Sequence, residues 1–129
     1  KKGNKYLITA EYGQINSPQS GIILMTNVKA KIDYLKKDTI YLTSDYAVYN
    51  TINLDTDFNK NVIIHYTEHE ITSENVDLSL KENLVSAYNN VVYKNSMNQL
   101  FADKLEIDLL TKDSKIFMYK NKKVKIIGK

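Results

Sequence analysis

The sequence predicts an all-β fold of antiparallel strands, and three observations carry that expectation. Apolar residues recur with a spacing of two, β-branched and Tyr residues dominate the runs, and short polar segments separate them. Such side chains suit a pleated, half-covered surface, and ten of them are Tyr. Helical spacing fits only residues 76–84, where Ser and Asn share the window and no apolar stripe continues. Connections this short join antiparallel neighbours rather than the long crossovers of parallel strands, so a sandwich, jelly roll or flattened roll is expected.

The runs follow in order. Tyr6, Ile8, Ala10 and Tyr12 lead to the turn Asn16-Ser17-Pro18-Gln19-Ser20-Gly21, and Val28, Ala30 and Ile32 lead to Lys36-Lys37-Asp38. Leu42 and Ser44, then Ala47, Tyr49 and Phe58, precede a break at Asn59-Lys60-Asn61, and Val62 and Ile64 precede Thr67-Glu68-His69. Ile71 and Ser73, then Val76, Leu78 and Leu80, end at Lys81-Glu82-Asn83; Tyr88 and Val91 end at residues 95–98. Leu105, Ile107 and Leu109 reach Thr111-Lys112-Asp113, and Val124, Ile126 and Ile127 follow Asn121-Lys122. Eight breaks imply about nine strands. One Pro and four Gly leave Asn and Asp to form many of the turns.

A four-residue signature, apolar, Thr or Phe, Ala or Ser, acidic, recurs at Ile8-Thr9-Ala10-Glu11, Leu42-Thr43-Ser44-Asp45, Ile71-Thr72-Ser73-Glu74 and Leu100-Phe101-Ala102-Asp103. Asn27-Val28, Asn61-Val62 and Asn90-Val91 follow the first three copies, each Asn nineteen positions after the apolar start. The fourth copy has Tyr119 there. A unit of this size cannot cover its own apolar face, so about four units stack into one interior, and an atypical terminal copy leaves a side open to a partner. Inward parity changes at the signature, from Leu42 and Ser44 to Ala47 and Tyr49, and from Ile71 and Ser73 to Val76 and Leu78. A strand that changes parity contains a bulge or bend, so each unit turns a corner after its acidic residue and the sheet wraps around an interior. That acidic residue is expected to be solvated or to accept local backbone N–H groups.

At 129 residues the chain makes one domain, 1–129, with no linker. Apolar residues at 43% and charged residues at 26% place it among globular proteins. The net charge of +3 comes from eighteen Lys and no Arg, a poor inventory for bidentate reading of bases or phosphates, which argues against nucleic acid. The run Lys120, Lys122, Lys123, Lys125 and Lys129 reads as a solvated tail or as a contact for anionic lipid or a partner. No stretch approaches the roughly 18 apolar residues of a membrane helix. Cys is absent, which excludes disulfides and thiolate metal sites and permits an oxidising compartment.

No catalytic constellation is present: no glycine-rich phosphate loop, nucleophile elbow or zinc-spaced His pair, so neither enzyme activity nor a cofactor is expected. His65 and His69 lie four apart but need not converge on strands, and Glu68, Glu70 and Glu74 read as a solvated rim. What remains is an apolar, aromatic interior, either filled by side chains or keeping a cavity for an apolar ligand.

The copies Leu42-Thr43-Ser44-Asp45, Ile71-Thr72-Ser73-Glu74 and Leu100-Phe101-Ala102-Asp103-Lys104-Leu105-Glu106-Ile107-Asp108, each leading towards an Asn-Val strand, resemble the repeats of the periplasmic lipopolysaccharide-export proteins, the LptA, LptC and OstA-like group. The resemblance spans nearly the whole chain and implies an open β-jelly roll that passes lipopolysaccharide from inner to outer membrane. Length and the Lys-rich finish resemble LptC, tied to the inner membrane by one N-terminal helix, more than the bridge protein LptA. The start at Lys1 then fits a fragment without that helix. Members of the group carry more Gly at their turns than this chain, so no glycine position is carried over. The resemblance implies a lipid lining of Ala47, Tyr49, Phe58, Val62, Ile64, Val76, Leu78, Tyr88, Val91, Leu105 and Ile107. It also implies partner edges at Tyr6, Ile8, Ala10 and Tyr12, facing an LptBFG-like inner-membrane ABC transporter, and at Val124, Ile126 and Ile127, facing an LptA-like bridge. The alternatives are a bridge protein of the LptA kind and a structural β scaffold with a filled core.

Overall fold

Alternating apolar and polar residues set the architecture. In the computed structural model, residues 5–17, 20–33, 39–111, 113–118 and 125–128 are described. Among the described residues nine strands form: β1 (Lys5–Ser17), β2 (Ile22–Asp33), β3 (Ile40–Asn50), β4 (Thr56–Tyr66), β5 (His69–Ser79), β6 (Leu84–Lys94), β7 (Asn98–Asp108), β8 (Ser114–Phe117) and β9 (Lys125–Gly128). No helix occurs among the described residues. Sequential neighbours pair antiparallel from β1 to β8, and β9 returns to β7. Across β7's far edge, β8 pairs residues 104–107 and β9 pairs residues 98–101, end to end. One edge of the sheet is therefore β1 and the other is the pair β8 and β9.

The long strands bend along one line, where inward parity changes on β3, β5 and β7 and is unchanged on β4 and β6. Val28, Ala30 and Ile32 are buried on β2, Leu42, Ser44 and then Ala47 on β3, and Ile71, Ser73 and then Val76 and Leu78 on β5. The bend lies at the Asn of each Asn-Val pair, with positive φ at Asn27 (54°), at Lys60 and Asn61 (68° and 51°) and at Asn89 and Asn90 (66° and 57°). Asn tolerates this left-handed region because its short amide bonds locally, whereas the β-branched Thr26 stays out of it, so β2 bends at one residue. On β4 and β6 the two left-handed residues form a bulge. Between the pairs Thr43–Ile63 and Tyr46–Asn59, β3 advances three residues and β4 four, and β6 carries the same extra residue against β5.

The signature's polar residues hold this seam. Asn61 Nδ2 donates to Asp45 Oδ2 at 2.8 Å and Asn90 Nδ2 donates to Glu74. Ser44 Oγ donates to the Tyr46 carbonyl at 2.9 Å, and Ser73 Oγ to that of Asn75 at 3.0 Å. At Asp45 and Glu74 the acidic residue accepts from the side-chain amide of the next strand, where a solvated carboxylate or one accepting local backbone N–H groups was expected, and Glu74 is also exposed.

The seam folds the sheet into two layers. The first holds Tyr6, Ile8, Ala30, Leu42, Ile64, Ile71 and Leu100; the second holds Ala47, Phe58, Val76, Ala87, Leu105 and Ile107. Their inward side chains form one buried cluster.

Two turn expectations change. Asn59-Lys60-Asn61 is the bulge inside β4, not a break between strands. The chain instead reverses at residues 51–55, where Asn50 Oδ1 accepts the N–H groups of Ile52 (2.9 Å) and Asn53 (3.3 Å) and Leu54 takes φ 67°. Lys36-Lys37-Asp38 and Asn121-Lys122 lie outside the described residues.

Candidate binding site between the layers

Nine of the eleven residues expected to line a groove are buried on the inward rows: Ala47, Phe58, Val62, Ile64, Val76, Leu78, Val91, Leu105 and Ile107 are each at most 2% exposed. Among the described residues these side chains fill the middle of the interlayer space. Tyr49 is half-buried, with its ring edge-on to Tyr6 at 6.4 Å. Tyr88 departs from the expected lining: it follows the buried Ala87 and so faces outward, where its hydroxyl donates to Asp77 Oδ1 at 3.2 Å. The two-residue bulge at Asn89 and Asn90 leaves inward parity on β6 unchanged, so Val85, Ala87 and Val91 all point inward and Tyr88 does not.

Space opens at the β7 end. A cavity of about 260 Å³ lies between the layers, with Tyr66, His69, Ile71, Tyr93 and Leu100 from one and Leu105, Ile107, Ser114 and Ile116 from the other. Its polar corner is built on a stack, since the His69 ring lies between those of Tyr66 (5.7 Å) and Tyr93 (5.5 Å). Asn95 Nδ2 donates to the Tyr93 hydroxyl at 3.3 Å, and that hydroxyl bonds His69 Nδ1. Only Leu105 and Ile107 of this lining were expected. Tyr66 continues the parity of Ile64, Tyr93 that of Val91 and His69 that of Ile71, a signal legible in the sequence; Ser114 and Ile116 depend on the β8 register, which is not.

At the β1 end the layers are tied. Thr56 Oγ1 donates to the Leu54 carbonyl at 3.3 Å, so the Tyr6 hydroxyl donates to Thr56 Oγ1 at 2.7 Å. Burial pushes the Tyr6 phenol well above its usual pKa. Among the described residues no strand pairs the outer edge of β1. Tyr6, Ile8 and Ala10 pack against the core and Tyr12 is 68% exposed. At the opposite edge Ile126 pairs Leu100 and Ile127 pairs Gln99, while Val124 lies outside the described residues.

The titratable groups of the β4–β5 hairpin do not converge. His65 faces Glu70 across it at 3.7 Å, opposite in parity to His69, and Glu74 is engaged at the seam. No metal-holding group of His, Cys, Asp and Glu occurs among the described residues. On the outer face Asp57 and Asp77 are directly opposed across β4 and β5. Burial first, then the Asp57 carboxylate, raises the Asp77 pKa to about 6, against the Tyr88 hydrogen bond and the Lys104 charge, which lower it.

Comparison with known proteins agrees with this geometry. The family described as LptC, lipopolysaccharide-assembly, LptC-related, matches residues 1–123. The fold is similar to that of LptH from Pseudomonas aeruginosa, the LptA-homologous periplasmic component of the lipopolysaccharide transport device. The TM-score is 0.72 at 7% identity, covering 95% of this chain and 94% of that one. No curated protein matches in sequence.

Proposed function

The chain belongs to the LptC-related lipopolysaccharide-assembly family, and from that premise we propose that this domain takes lipopolysaccharide from an inner-membrane ABC exporter and passes it to a periplasmic bridge protein through the space between its layers. The observation that carries this is the apolar cavity opening beside the β8 and β9 edge. Each acyl CH₂ withdrawn from water gains about 0.8 kcal/mol, so a multi-chain lipid needs a continuous apolar track, and the inward rows supply one once the layers part. Backbone ladders run along each layer, while contacts across the mouth, such as Tyr6 to Thr56, are made by side chains. Parting at the seam leaves every ladder intact. No covalent step is involved.

In this reading the exporter, LptBFG-like, pairs with the free edge of β1, and an LptA-like bridge pairs with the β8 and β9 edge, through the backbone bonding that open strands offer. The domain works in the periplasm, held to the inner membrane by an N-terminal helix preceding it. Likeness to LptH favours a second reading, a bridge protein, which would self-associate edge to edge into lengthening oligomers. The filled middle favours a third, a scaffold that binds no lipid and yields none on extraction.

Photo-crosslinkers placed at Tyr49, Leu78 and Ile107 test the track. Capture of lipopolysaccharide there, and none at the exposed Lys81 and Glu68, is expected; equal capture at both sets overturns it.

A further inference from the structure

The outer faces of the two layers differ in charge and in texture. On the first layer Lys5, Leu7, Lys29, Lys31 and Tyr41 turn outward, because their strand neighbours Tyr6, Ala30, Ile32 and Leu42 pack into the core. Register sets Leu7, Lys31 and Tyr41 side by side on three adjacent strands, and Leu7 is 58% and Tyr41 52% exposed. Lys29 is exposed and makes no ion pair among the described residues. Asp33 sits opposite Lys5 in register and 3.9 Å from Lys31, and it accepts the Thr39 hydroxyl. Lys5, Lys29 and Lys31 therefore share one carboxylate. Glu11 and Asp45 bound this block at the seam, where Asn61 engages Asp45. Elsewhere the charges cancel: on the same layer Glu70 lies opposite Lys94 and 3.7 Å from His65. On the outer face of the second layer Asp57 opposes Asp77, and Lys104 pairs with Glu106 at 3.2 Å.

We propose that this face of the first layer lies on an anionic phospholipid bilayer, with Lys5, Lys29 and Lys31 at the phosphates and Leu7 and Tyr41 at the boundary between headgroups and acyl chains. The charge of the block is complementary to an anionic surface, and each Lys held near one raises partitioning about fivefold. An acidic protein would answer the Lys alone; a bilayer also takes up the exposed apolar side chains. Tyr suits that boundary because its body is apolar and its tip polar, and a Lys stem lies along apolar neighbours while its head reaches a phosphate. The contact is separate from the export reading, since it needs neither parting of the layers nor a strand partner. It is made by side chains, so the backbone groups on the outer edge of β1 stay free.

Flotation of the purified chain with vesicles of equimolar phosphatidylglycerol and phosphatidylcholine tests it. Adsorption is expected at low ionic strength, with little on pure phosphatidylcholine, and it falls away near 1 M salt, where the screening length is about 3 Å. Lys29→Gln with Lys31→Gln is expected to lower partitioning at least tenfold, whereas Lys81→Gln with Lys115→Gln, the same change of charge elsewhere, leaves it within about twofold. Leu7→Ser with Tyr41→Ser keeps the charge and is expected to weaken adsorption about tenfold. Should a variant fail to fold, nitroxide-bearing lipid added to the wild-type chain replaces it, broadening the amide signals of residues 29–31 and 41 and not those of Asp57 and Asp77. Absence of flotation at millimolar lipid overturns the bilayer as occupant and leaves an acidic protein. Equal flotation on neutral vesicles, equal losses for the two Lys pairs, or broadening of both faces alike overturns the surface. Undiminished flotation of the Leu7 and Tyr41 variant overturns the seating of the apolar side chains. Lipopolysaccharide capture at Ile107 without flotation separates failure of this surface from failure of the export reading.

Discussion

At the scale of single residues, the seam depends on side chains that accept a left-handed backbone. Asn61, at φ 51°, also donates to Asp45. Asn61→Ala forfeits both the conformational tolerance, worth about 1–2 kcal/mol, and the hydrogen bond, worth about 1 kcal/mol. Asn61→Gly forfeits only the bond. Urea unfolding is expected to show the Ala variant less stable than the Gly variant by about 1 kcal/mol; equal losses would mean that the seam does not depend on φ. A second residue-scale effect concerns pH. The folded Asp77 pKa, about 6, lies above its unfolded value, so between roughly pH 4 and pH 6 the folded state binds the proton more tightly. Stability from this group is complete below the unfolded pKa and is lost as pH rises through the folded one. The groups facing Asp77 are Asp57 on β4, Tyr88 on β6 and Lys104 on β7. Asp57→Asn removes the opposing charge, so the decline in stability from pH 4 to pH 7 is expected to flatten and the Asp77 carboxyl to titrate lower by ¹³C NMR. An unchanged titration would show that burial alone sets the shift.

At the scale of elements, strands were legible and their connections less so. Alternation follows from backbone geometry, so the parity change from Ser44 to Ala47 marks a corner in the sequence itself. The Asn-Val spacing marked the same place, but Asn59-Lys60-Asn61 also reads as turn chemistry, and only pairing shows that β4 runs through it. The true reversal, with Ile52 and Leu54 in it, lacks both Gly and Pro and is held by Asn50, a local bond that composition does not reveal. Tyr88 faces outward for a related reason: the bulge at Asn89 and Asn90 keeps the inward parity of β6 the same on both sides, so Ala87 and Val91 share a face that Tyr88 does not. Strand β9 tests the partner edge, since it pairs only residues 98–101 of β7 and leaves the ladders from β1 to β7 untouched. Deleting residues 124–129 is expected to abolish binding to an LptA-like partner in a pull-down while the circular dichroism stays that of the folded domain. Retained binding would move the contact elsewhere.

At the scale of the whole molecule, the question is whether two layers hinged at one seam are closed on each other or held apart, because strand register within a layer does not set the distance between layers. The sequence left a filled core and a lipid groove open as alternatives for that reason. Phe58 decides between them, being fully buried at the centre of the second layer, away from both ends. If the layers are closed, Phe58→Ala leaves a void that neighbours fill only in part, and unfolding by urea is expected to lose about 3–5 kcal/mol. Leu7→Ala, on the outer face and 58% exposed, is the control and is expected to change stability by about 0.5 kcal/mol or less. A lipid that travels between the layers then displaces contacts of this kind row by row, offset by the transfer of its own chains from water. Passage therefore requires a partner at the edge to supply or hold the open form. A Phe58→Ala cost below about 1 kcal/mol would show layers already slack around Phe58, and parting at the seam would no longer be needed for a lipid to enter.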